Sequence, residues 1–147
     1  MKQVLSVEQM KYLKDLGVNT SDASMILIAT DDDGCMLLWE DAEKAIKHHL
    51  YDVYFNIYYV ESSSYDHSCK KECGVFTLQD ILDKLPCFIG KEVLTIQKLA
   101  DSYTCLYMEP YSRSIIKITE SKELIDAAYD MLCWCIENGY VKVEKEE

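Results

Sequence analysis

A chain of 147 residues, 49% apolar and 28% charged, has the length and balance of a compact globular domain rather than a disordered segment. Its 26 acidic residues outweigh 15 basic ones for a net charge of −11, and Arg113 is its single arginine. That composition argues against direct binding to nucleic acid, because affinity for a phosphate backbone comes from Lys and Arg displacing counterions.

The first predicted element is a helix opening at Ser6. Ser6 and Gln9 have the spacing of a capping box, Leu5 and Met10 that of a hydrophobic staple, and Gly17 supplies the stop. Met10, Leu13 and Leu16 share its apolar face. After the polar turn "VNTSDAS", the runs "MILIAT" and "CMLLW" flank "DDDG" and predict a hairpin with Asp33-Gly34 at its tip. "EDAEKAIKHHL" predicts a helix and "VYFNIYYV" a strand. A polar loop then runs from Glu61 to Gly74.

Thr77 and Asp80 form a second capping box, stapled by Phe76 and Ile81, and Pro86 closes the helix that follows. "EVLTIQKL", "SYTCLYME" and "SIIKITE" predict three strands, with Pro110 in the turn between the last two. A helix from Lys122 to Asn138, capped by Ser121 and stopped by Gly139, precedes "YVKVEKEE", which predicts a short terminal strand. Successive strands on short connections argue for an antiparallel meander rather than a doubly wound sheet. The expected fold is α+β: one domain over 1–147, an antiparallel meander packed by helices, the longest of them C-terminal.

Little in this sequence has the spacing of catalytic chemistry. "YDHSCKKECG" brings His67, Cys69 and Cys73 together, but H-x-C-x₃-C is not a common zinc pattern, and the intervening lysines suit a solvated loop. In "MLCWC", Cys133 and Cys135 stand about 200° apart around a helix and cannot share one ion. "DDDG" lacks the alternating ligands and terminal Glu of a calcium loop. Adjacent His48 and His49 face different directions. No nucleophile elbow, H-E-x-x-H or phosphate-binding glycine loop is present. No catalytic residue, metal or cofactor is therefore expected, and all seven cysteines are expected as thiols.

The C-terminal helix is the informative feature. Ile125, Ala128, Leu132, Cys135 and Ile136 make one apolar face, while Glu123, Asp126, Asp130 and Glu137 make a narrow acidic strip. Ala127, Met131 and Trp134 form a second apolar stripe, which is either sandwiched within the domain or turned towards a partner. These three are the candidate interface, and a homodimer is one way to cover them. Eleven tyrosines against three phenylalanines also suit contact surfaces.

At "GVNTSDASM", "FTLQDILDKLP" and "LIDAAYDMLCWCIENGY" the chain resembles small acidic proteins, of no assigned activity, from prophages and mobile elements of Bacteroides-type gut bacteria. The resemblance implies an accessory protein of phage or mobile-element biology and carries no functional residue across. Residues 40–73 depart from the shared pattern, as a variable insertion would. With no membrane span in sight and no apolar signal core in "MKQVLSVEQM", the expected place is the cytoplasm. The expected function is that of a non-enzymatic adaptor acting through protein contacts. The alternative is a metal- or thiol-dependent hydrolase built on His67, Cys69 and Cys73.

Overall fold

The computed structural model describes residues 2–30, 56–61 and 74–143. It is an α+β protein whose chain forms two compact units, Thr20–Val75 and the pair of segments Met1–Asn19 and Phe76–Glu147.

In the first of these units, β1 (Met25–Thr30) pairs antiparallel with β2 (Asn56–Glu61) from Met25↔Glu61 to Thr30↔Asn56. Its other side pairs with β3 (Gly74–Val75), so that the order is β2-β1-β3. The runs "MILIAT" and "NIYYV" thus form strands, as their β-branched and aromatic content predicts. The expected Asp33-Gly34 turn, the "CMLLW" strand, the 40–50 helix and the loop carrying His67, Cys69 and Cys73 lie outside the described residues.

The larger unit begins with α1 (Val7–Asp15), where Ser6 Oγ accepts from the Gln9 N–H and Gln9 Oε1 accepts from the Ser6 N–H. The same reciprocal box opens α2 (Leu78–Lys84): Thr77 Oγ1 accepts from the Asp80 N–H, and Asp80 Oδ2 from the Thr77 N–H. The staple residues Leu5, Met10, Phe76 and Ile81 are all buried. The two leads into these helices also pair with each other, through an antiparallel bridge at Val4↔Thr77 and a 3.0 Å bond from the Leu5 N–H to the Phe76 carbonyl. Local capping signals and long-range backbone pairing therefore coincide at the same residues.

A four-stranded antiparallel meander follows, in the order β4 (Phe88–Ile89), β5 (Glu92–Lys98), β6 (Tyr103–Met108), β7 (Ile115–Ser121). Three of these strands match the sequence prediction. The fourth, β4, is too short to show periodicity. Its signal is Gly90, which holds a φ of 64° in the tight turn joining Ile89 to Glu92. Pro110 sits in the β6–β7 turn, as expected.

The last helix, α3 (Leu124–Glu137), has 14 residues and packs against β6, β7 and α2. Ser121 is not its N-cap, contrary to prediction. It closes the β7 ladder opposite Tyr103, and Glu123 occupies the cap position, its N–H donating to Ser121 Oγ. At the other end Gly139, at a φ of 80°, donates to the Ile136 carbonyl, while Tyr140 donates to that of Cys135. Val141 donates to Cys135 as well, so the N–H groups of Tyr140 and Val141 are taken up by the helix end and the expected terminal strand does not form over residues 140–143; residues 144–147 lie outside the described residues.

β6 is buried at its four central residues, Thr104, Cys105, Leu106 and Tyr107. The Tyr107 hydroxyl donates to the Pro86 carbonyl at 2.7 Å, but Thr104 Oγ1 has no hydrogen-bond partner among the described residues. An unmet buried hydroxyl costs about 1–3 kcal/mol. We predict that Thr104→Val, which keeps the β-branched shape and removes the oxygen, raises the denaturant midpoint by an amount equivalent to about 1 kcal/mol. A measured loss of stability would show that the hydroxyl is satisfied in solution.

Candidate functional site

Faces of the meander follow from its register, since directly opposed residues share a side. Cys105 lies opposite Thr119, and Tyr107 opposite Lys117. Thr119 Oγ1 is 2.7 Å from the Ala127 carbonyl and 3.2 Å from that of Cys105, so its single proton goes to the helix. The side bearing Cys105, Tyr107, Lys117 and Thr119 therefore carries α3. Ile118 and Ile115, opposite Leu106 and Met108, lie on the other side. Ile116 is the extra residue of a β-bulge at the start of β7.

β7 ends the strand order, and among the described residues nothing pairs with its outer side. Its apolar residues are unusually open to solvent: Ile115 is 49% exposed, Ile116 40% and Ile118 49%. Beside this strand, between β7, α3 and Tyr12 of α1, lies an open cleft of about 580 Å³.

The cleft wall is made by one side of α3. Cys133 is buried there, and loss of solvent pushes its thiol up to about 11, although the Tyr129 hydroxyl pulls the other way. That thiol is held neutral and is a poor nucleophile. Trp134 is half-buried and packs on Tyr140 with ring centroids 5.3 Å apart. Tyr12 donates its hydroxyl to Glu137 at 2.7 Å, which raises the phenol above its ordinary range. Asp130 is also raised, first by desolvation and then by Asp126, with Lys117 opposing. Among the described residues lining the cleft, Asp130 and Glu137 thus face one cation, Lys117, while Glu120, on the Ile118 side of the strand, accepts from the Ser102 hydroxyl at 2.6 Å.

The other end of the acidic strip is occupied. The Lys2 ammonium is 2.8 Å from Asp126 Oδ1, the Gln9 amide 2.9 Å from the same oxygen, and the Lys2 N–H 3.2 Å from Glu123 Oε2. Desolvation works against ionisation of Asp126, but these donors hold its carboxyl below the ordinary range. Sequence reasoning grouped the four acidic residues without showing what they bind, because their partners lie more than a hundred positions away.

Of the candidate interface residues, Ala127 and Met131 have no exposed surface, while Trp134 reaches the cleft. The second apolar stripe is thus covered within the chain at Ala127 and Met131, and exposed apolar side chains stand elsewhere, three of them on β7. Cys133 and Cys135 do face different ways: Cys135 is coupled to Tyr107 and Cys105 under the sheet, and Cys133 to Tyr129 and Glu137 at the cleft. Cys87, Cys105, Cys133 and Cys135 are free thiols. Burial pushes Cys105 up to about 12 and Cys135 up to about 11. His67, Cys69 and Cys73 lie outside the described residues. Among the described residues no helix is long and apolar enough to cross a membrane.

No family model, curated protein or solved structure matches this chain.

Asp130 gives the cleft a pH signature. The folded state binds its proton more tightly than the unfolded chain does, so ionisation costs stability above the folded pKa and the cost disappears below the unfolded one. Asp130→Asn should therefore stabilise the protein at neutral pH by a few tenths of a kcal/mol, a small effect because the group is exposed. The gain should vanish near pH ~3. Denaturant titrations at both pH values check this, and a destabilised variant at neutral pH would contradict it.

Proposed function

We propose that this chain is a non-enzymatic accessory protein of the cytoplasm, of the phage or mobile-element kind that its sequence resembles, acting by binding another protein at β7. The observation that carries this reading is the exposure of Ile115, Ile116 and Ile118 on a terminal strand. Soluble proteins usually blunt such edges, because unpaired N–H and C=O groups beside apolar side chains are a template for association. The adjoining Trp134 and Tyr129 add aromatic surface of the type that dominates contact energies.

Ile118 is exposed enough for Ile118→Lys to leave folding within about 0.5 kcal/mol of wild type. Affinity purification of both forms from cells that naturally make the protein tests the reading. Wild type should retain a partner in roughly equimolar amount, and Ile118→Lys should lose it. Identical sets of retained proteins would contradict a contact role for β7.

A further inference from the structure

We infer that the partner presents an extended segment of alternating apolar and basic residues, which adds to the outer side of β7 as a fifth strand. The inference rests on the contact role proposed for β7 and specifies its chemistry. Every second residue of a terminal strand turns its N–H and C=O outward, so an added strand gains a ladder of main-chain bonds. Side chains of that strand would alternate between the two faces of the sheet. On one face they would lie beside Ile118, which calls for apolar residues. On the other they would enter the cleft, where Asp130 and Glu137 outnumber Lys117, which calls for Lys or Arg.

Two features that hinder indiscriminate pairing narrow the choice. The bulge at Ile116 interrupts the regular register, so pairing is confined to the span after it. Lys117 turns a charge towards the cleft and disfavours a uniformly basic strand. A second copy of this chain fits less well, because it would bring together two molecules of charge −11 and offer the acidic cleft no excess of cations.

The probe is a ten-residue peptide of alternating valine and lysine, compared by calorimetry with a valine–glutamate analogue and with a peptide that has the same valines and lysines in two blocks. The alternating basic peptide should bind about ten-fold more tightly than either. Asp130→Asn should weaken it by roughly two- to five-fold, the effect of one exposed charge pair, and Ile118→Lys should abolish binding. N-methylation of alternate residues separates a strand from a merely cationic ligand. One alternate set should destroy binding and the other leave it unchanged, because only one set of N–H groups faces β7.

Equal affinity for the block peptide, or tolerance of both N-methylated sets, overturns strand addition. So does a dimeric protein that Ile118→Lys converts to monomer, which would assign the edge to a second copy. If these peptide results fail while Ile118→Lys still loses its equimolar cellular partner, the contact reading stands and the strand chemistry falls. If that partner is also unaffected, both fall.

Discussion

The burial of α3 is the constraint on which the larger unit depends. Eight of its fourteen residues are buried, among them Ile125, Met131, Leu132 and Ile136. Full burial of a large aliphatic side chain contributes about 1.5–3 kcal/mol, so this one element supplies a large share of the driving force. Its position over the sheet is set by a directional contact as well as by packing. The Thr119 hydroxyl, buried on β7, donates to the Ala127 carbonyl and ties the helix to the last strand. Helix and strand are consecutive in the chain, so closing this contact costs little loop entropy.

The polar side of the same helix is equally committed. Glu123 and Asp126 receive Lys2 and Gln9, and Glu137 receives Tyr12. The N-terminal segment is thereby fastened along a strip of carboxylates that would otherwise repel one another. Asp130 stands apart from these bonds and faces the cleft. Its raised proton affinity reflects lost solvent and the neighbouring Asp126, incompletely offset by Lys117. The cleft thus retains unspent negative potential beside an exposed apolar strand. A basic, extended ligand answers both features, whereas burial keeps the nearby thiols of Cys133 and Cys105 protonated.

Much of the fold was legible in the sequence, and the reason differs from element to element. The boxes at Ser6 and Thr77 were readable because every partner lies within three residues. The meander was readable from strand composition and short turns. Ser121 misled because a serine before a helix resembles a cap, whereas strand pairing to Tyr103 claims it first. The second stripe of α3 was correctly seen as apolar. Whether it is covered is a tertiary matter, and Ala127 and Met131 prove to be core. The exposed edge was hidden for the same reason: "SIIKITE" announces a strand, but nothing in those seven residues says that it comes last in the sheet.

An open outer side on β7, free to take a further strand, has a direct signature in residue-resolved amide hydrogen exchange on the free protein. N–H groups of β6, paired on both sides, should be strongly protected. Along Lys117–Ser121, protection should alternate, with every second amide exchanging rapidly because it points to solvent. Uniform protection along that span would mean that the edge is already filled and that β7 has no open side to offer a partner.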